Sequence, residues 1–185
     1  VDGHQGAAGE EARVIFVGID CGRLGAIAWM NGERRGIEIH DTPLTAAGDY
    51  DLRKAWEILA RLSEHADKAT VVIEDTISVP HKARGESFIP ASDKVLHESL
   101  GIWRALCASF SLPVTLVHPK TWKASVLAGV ANDDAAEEMV LLQRFQGRLD
   151  PMDLRGPKGG ARPGRVDALW LAEYARIQHR MSGAA

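Results

Sequence analysis

Cysteine is scarce in this chain, with two in 185 residues, Cys21 and Cys107. Both lie in apolar segments and read as reduced, because two thiols make neither a disulfide framework nor a zinc-binding spacing. Long apolar runs are also lacking. None approaches the roughly 20 residues of a membrane span, so a membrane is not among the expected partners. The first residues do not follow the charged, apolar, small-residue order of a signal peptide. Neither sign of charge dominates, with 22 basic against 25 acidic residues and a net charge of −3 at pH 7. The totals give no global signature of a polyanion-binding protein, although a phosphate-binding face needs only a local patch.

What the chain does have is size and a core. A hydrophobic fraction of 45% over 185 residues supports one domain. Residues 1–12, rich in Gly, Ala and Glu, read as a disordered leader or an expression remnant. The domain proper is expected over residues 13–180. Residues 14–20 form an apolar run suited to a strand covered on both faces, and 25–30 the next strand. An Asn-Gly hairpin signal within "MNGER" precedes a third strand over 36–40. Helical spacing of Leu52, Ala55, Trp56, Leu59 and Leu62 predicts a helix over 51–65. "TVVIED" is a buried strand, "SVPHKARGESFIPASD" at 78–93 a loop, 95–110 a helix and "LPVTLVHP" a short strand. Helices are expected over 120–127, from the Asn-Asp cap at 132–133 onward, and over 165–179. Between the last two lies a flexible basic segment, "DPMDLRGPKGGARPG". Three antiparallel strands followed by helix-linked strands imply an α/β fold, a mixed five-stranded sheet flanked by helices.

Three carboxylates interrupt apolar surroundings. Asp20 ends the first strand, Glu74 sits near the end of "VVIED", and Asp167 lies in the first turn of the last helix. Each alone also fits an ordinary role: a turn residue, a surface strand end, a partner for the helix dipole. Together they occupy element ends that a mixed sheet brings close. Buried carboxylates are costly unless a positive charge neutralises them. With no fixed basic partner nearby in sequence, a hard divalent cation is implied, and oxygen-only ligation favours Mg²⁺ or Mn²⁺.

The stretches "GIDCGRLGAIAW", "DTP" at 41–43, "VIEDTISVP", "SLGIWRALCAS", "VHPKTWKASVLAG" and "GRVDALWLAEYAR" appear in one order over most of the chain. In that order the chain resembles the RuvC-type Holliday junction resolvases of the RNase H-like superfamily, with the nearest likeness to plastid resolvases of the monokaryotic-chloroplast type. The resemblance implies a homodimeric endonuclease that nicks opposed strands of a four-way DNA junction. It implies Asp20, Glu74 and Asp167 as catalytic and metal-binding residues, with two Mg²⁺ or Mn²⁺ ions per site. Asp20 would bridge the ions, Glu74 would hold one and orient the attacking water, and Asp167 would complete the second position. Two cations can stabilise both the attacking and the leaving oxygen of an in-line displacement at phosphorus.

The pattern is broken at one place. The family places a fourth acidic residue or a histidine about one helical turn before the last carboxylate. Here that stretch reads "ARPGRVD", with Pro163 and Gly164 in its place and no acid nearer than Asp153.

Contacts to DNA are expected from Arg155, Lys158, Arg162 and Arg165, a Gly- and Pro-rich basic run beside Asp167. By resemblance, Lys120 or Lys123 would meet phosphate or developing charge, while Trp122 reads as core. In the loop after Glu74, Lys82 and Arg84 are DNA-contact candidates, and Ile77, Val79 and Phe88 are candidates for a wedge at the junction centre. The stripe of Leu96, Ser99, Leu100, Trp103, Leu106 and Cys107 suits sheet packing or, by resemblance, the dimer. His40, His65, His97, His118 and His179 read as structural or surface residues. Resemblance places the protein in the chloroplast nucleoid, and a bacterial or phage origin would place it in the cytoplasm. Three other readings stay open: another RNase H-like nuclease, a junction-binding protein impaired in catalysis, and a fragment of an ATP-dependent sugar kinase or actin-like protein, which shares the opening strand motif.

Overall fold

The computed structural model describes residues 14–65, 68–75, 91–156 and 159–183. The leader at 1–12, the loop candidates Ile77, Val79, Lys82, Arg84 and Phe88, and Lys158 lie outside the described residues.

The strands are β1 (Val14–Ile19), β2 (Ala26–Asn31), β3 (Glu38–Asp41), β4 (Lys68–Glu74) and β5 (Val114–Val117). The helices are α1 (Leu52–His65), α2 (Ala91–Ser109), α3 (Pro119–Val126), α4 (Asp134–Arg144) and α5 (Pro163–Gly183), with a 3₁₀ turn at Pro151–Leu154. The sheet order is β3-β2-β1-β4-β5. β1–β2 and β2–β3 are antiparallel, whereas β1–β4 and β4–β5 are parallel. This is the mixed sheet expected from the element order. β1 is central because both of its faces are apolar.

The alternation of β1 feeds two cores. Phe16 packs with Trp122, Leu141, Phe145 and Trp170 on the side of α3, α4 and α5. Val17 and Ile19 pack with Leu59, Leu62 and Trp103 on the side of α1 and α2. Gly18, which lies between them, explains how close α5 comes. A Cβ there would stand 2.0 Å from the Ala168 carbonyl and 2.4 Å from the Ala172 amide. Glycine therefore lets the long helix lie directly on the central strand, and α5 carries Asp167 with it.

Several sequence expectations need correction. The helix expected from residue 95 begins at Ala91, and the last helix begins at Pro163 rather than residue 165. Proline at a first helical position loses no hydrogen bond, since that amide has no intrahelical acceptor. The basic segment is not shapeless among its described residues. It holds the 3₁₀ turn, an Arg155–Ala161 bridge and a bond from the Gly156 amide to the Gly160 carbonyl. The left-handed conformations after β2 fall at Arg34 and Gly36, so the connection is longer than a two-residue Asn-Gly turn. Leu52 and Trp56, assigned to the apolar face of α1, are half exposed, and Trp56 stacks on Phe110 instead.

At the end of the sheet away from Asp20, a single buried carboxylate gathers three arginines. Glu173 accepts from Arg34 at 2.7 and 3.1 Å, from Arg144 at 2.8 Å, and from Arg176 at 2.8 and 2.9 Å. These bonds tie the β2–β3 connection, α4 and α5 together. Burial alone would raise the Glu173 pKa. The three guanidinium groups outweigh it and bring the pKa down to about 2.

Candidate active site

Asp20, Glu74 and Asp167 arrive at one end of the sheet by three routes. Asp20 follows the last residue of β1, where its amide donates to the Ala26 carbonyl at 2.9 Å. Its Oδ1 accepts the Gly22 amide at 3.1 Å, closing the turn into β2. Glu74 ends β4, which runs parallel to β1, so the two acids leave adjacent strands at the same edge. Asp167 comes from the first turns of α5, the helix pressed onto β1.

All three carboxyl groups are pushed up from their usual range, chiefly by burial. For Asp20, the Gly22 amide and the Lys123 charge partly oppose that rise. For Glu74, the Trp122 hydrogen bond opposes it, while the neighbouring Asp20 reinforces it. Asp167 rises to about 7, with Lys123 opposing and Asp20, Glu74 and Glu137 reinforcing. The site therefore concentrates negative charge that the protein only partly compensates.

The turn "HPKTWK" supplies what compensation there is. His118 caps α3, its Nδ1 accepting the Lys120 amide at 3.2 Å. The first turns of α3 then direct Trp122 and Lys123 inward. Trp122 is core, as expected, and its Nε1–H also donates to Glu74 Oε1 at 2.9 Å. Lys123 Nζ stands 2.9 and 3.0 Å from the two oxygens of Glu137 and 3.8 Å from Asp167 Oδ1. Burial would lower the Lys123 pKa, but the Glu137 bond and the charges of Asp167, Glu137 and Glu74 give a net rise.

Glu137 was missed in the sequence. It is 4% exposed on α4, and its own carbonyl accepts from Trp170 Nε1 at 3.3 Å. One signal could have found it. Glu137, Leu141 and Phe145 follow helical spacing, and all three are buried, so the acid stands on an apolar stripe.

At Gly164 the absence of an acid before Asp167 has a steric cause. A Cβ on Gly164 would meet the Leu24 carbonyl at 2.4 Å, Gly25 Cα at 2.7 Å and Asp20 Oδ2 at 2.9 Å. The N-terminus of α5 is seated against the β1–β2 turn, and no side chain fits between them.

The basic candidates divide. Lys120 is exposed. Arg165 is committed to the fold. It forms a two-pronged pair with Asp41 at 2.6 and 2.9 Å, and its Nη1 donates to the carbonyls of Asp153 and Arg155. Arg155 forms a two-pronged pair with Glu138. Arg162 is half-buried, folded over Gly156. Cys21 and Cys107 are free and buried.

Among the described residues, no three His, Cys, Asp or Glu side chains already form a group able to hold an ion. The donor chemistry of Asp20, Glu74 and Asp167 nevertheless fits a hard divalent cation. All their ligating atoms are oxygens, and burial and mutual repulsion disfavour their ionised forms until positive charge arrives.

Among the described residues, no helix is long and apolar enough to cross a membrane. No protein-family model matches the chain, and neither does any curated protein sequence. Solved structures do match. Thermus thermophilus RuvC in complex with Holliday junction substrate has a TM-score of 0.57 and 14% identity, over 91% of this chain and 96% of that one. A second Thermus thermophilus RuvC structure has a TM-score of 0.56 and 16% identity over the same shares. The strand order, the parallel and antiparallel pairing and the flanking helices are thus those of an RNase H-like fold of the RuvC kind.

Proposed function

We propose that this chain is a Holliday junction resolvase, a divalent-metal-dependent endonuclease that nicks opposed strands of four-way DNA junctions as a homodimer. The observation that carries the reading is the meeting of Asp20, Glu74 and Asp167 at one end of a RuvC-like sheet, each coupled electrostatically to the others. A plastid nucleoid is the compartment we propose.

Asp20 and Glu74 would hold the primary Mg²⁺ or Mn²⁺. When bound, the metal supplies Lewis-acid stabilisation of the charge that builds on the phosphate oxygens. Glu74 orients a water for attack, and the Trp122 N–H keeps the Glu74 carboxylate in one rotamer. Asp20 is held rigid by the turn amide of Gly22 and by the central strand behind it. Lys120, exposed at the start of α3, meets the DNA backbone as a point charge. By resemblance a second ion would fall to Asp20 and Asp167, and Asp167 already faces Lys123.

The test is cleavage of a labelled mobile four-way junction in Mg²⁺ or Mn²⁺, with Asp20→Asn and Glu74→Gln as controls. Paired nicks by the wild type, with binding but no nicking by either variant, are the expected result. Nicking by the variants at the wild-type rate removes the site assignment. Tight junction binding without any product supports the catalytically impaired reading, and a preference for RNA–DNA hybrids supports another RNase H-like nuclease.

A further inference from the structure

We propose that the second cation of this site is the Lys123 ammonium, fixed in place by Glu137, so that the chain works with one divalent ion plus a lysine. The inference rests on the nuclease reading above and deepens it.

Three observations converge on it. First, Lys123 Nζ is bracketed by carboxylate oxygens, two from Glu137 and one from Asp167, at 2.9, 3.0 and 3.8 Å. Second, Glu137 is buried, so the ammonium is held on a dedicated counter-charge rather than swinging in solvent. The Trp122 ring, 5.2 Å from Nζ, covers the same cation. Third, neither position one turn before Asp167 supplies a ligand: Pro163 has no donor atom, and a Cβ on Gly164 would meet the Leu24 carbonyl at 2.4 Å and Asp20 Oδ2 at 2.9 Å. Where that ligand is lacking, a buried acid from α4 instead holds a lysine beside Asp167.

Chemically the exchange is coherent. A divalent ion at Asp167 would have to share that carboxylate with an ammonium already committed beside it, and like charges at such distances repel strongly. Lysine supplies one positive charge for the developing phosphate charge, without needing a complete ligand set. Glu137 acts through Lys123 and is a positioning residue. Lys123 is the group that faces the reacting phosphate.

The test counts ions directly. Crystals of the full chain with a four-way junction are soaked in Mn²⁺, and anomalous scattering locates the metal. Alongside, initial nicking rates are measured against Mg²⁺ concentration. The wild type is expected to show one Mn²⁺ peak, between Asp20 and Glu74, and a Hill coefficient near one. Lys123→Met is expected to gain a second peak at Asp167, to need roughly tenfold more Mg²⁺ and to show a coefficient approaching two. Lys123→Arg, which keeps the charge, stays at one peak. Glu137→Gln, with its folding checked by thermal melting, releases the ammonium and moves towards the Lys123→Met behaviour. A second Mn²⁺ peak on Asp167 in the wild type, with nicking intact, overturns this inference alone. So does a Lys123→Met variant that keeps one peak and an unchanged coefficient. No peak at Asp20 and Glu74, together with no nicking, removes the underlying nuclease reading instead.

Discussion

Gly164 leaves no room for a side chain beside Asp20: a methyl group on the glycine would stand 2.9 Å from Asp20 Oδ2. Any side chain at this point must push α5 away from the β1–β2 turn. Gly164→Ala is expected to cost about 3 kcal/mol, by overpacking against backbone that cannot yield. Gly164→Asp, which would place an acid one turn before Asp167, is expected to destabilise further and to rescue no activity. Gly160→Ala, at a position open to solvent, is the near-neutral control. Urea denaturation of the three variants checks the order.

Arg165 and Lys120 looked alike in the sequence, and their surroundings separate them. Arg165 is locked to Asp41 and two carbonyls. Arg165→Lys loses the planar fork and is expected to cost about 1–3 kcal/mol of stability. Lys120→Ala is expected to leave the melting temperature unchanged. It should weaken junction binding and lower the slope of log K against log salt by about one. Thermal melts and salt titrations distinguish the two.

That contrast shows what the sequence could reveal. The central strand, the order of elements and the three acids were legible, because a continuous apolar run, helical spacing and carboxylates at element ends are local signals. The partners of charged residues were not. Arg165 meets Asp41 across 124 positions and Glu74 meets Trp122 across 48, and no spacing rule announces such pairs. The sequence showed an acid missing before Asp167, but not why it is missing. At Gly164 the reason is the close approach of α5 to the β1–β2 turn, a matter of tertiary packing. Glu137 was hidden for the opposite reason: in an acidic helix, one buried glutamate resembles its exposed neighbours.

Trp122 joins the core to the chemistry. Trp122→Phe keeps most of the buried ring and deletes the N–H that Glu74 accepts. A stability loss of about 1 kcal/mol is expected from the lost bond. Without that donor the Glu74 carboxyl titrates higher, so the acid limb of the nicking profile moves to higher pH. A variant with an unmoved acid limb and reduced stability would assign Trp122 a packing role only.

Glu173 gives the fold an acid-labile clamp. Its pKa falls from 4.5 to about 2 on folding. The folded state therefore holds on to the ionised form, and the stabilisation is complete above the unfolded value. It is lost as pH falls through about 2. Glu173→Gln strands three arginines around a neutral amide and is expected to cost about 3–5 kcal/mol at pH 7. The variant should also show a flatter stability curve between pH 5 and pH 2 in urea titrations.

Asp167 has the opposite sign, and it reveals what the site costs the fold. Burial raises its pKa from 3.8 to about 7, so the folded state prefers the protonated acid. The stabilisation from that preference is complete below the unfolded value and is lost as pH rises through about 7. In metal-free buffer with chelator, the wild type should lose about 1–3 kcal/mol between pH 5 and pH 8.5, after allowing for the group's partial exposure. Asp167→Asn cannot ionise and should be flatter over that window, and more stable than the wild type at its alkaline end. Adding Mg²⁺ should stabilise the two proteins to a similar extent, because the ion is expected between Asp20 and Glu74 while Asp167 already faces Lys123. Chemical denaturation at three pH values, with and without Mg²⁺, measures all four arms. Equal slopes for the two proteins would mean that Asp167 ionises freely in the fold and bears none of the site's electrostatic strain.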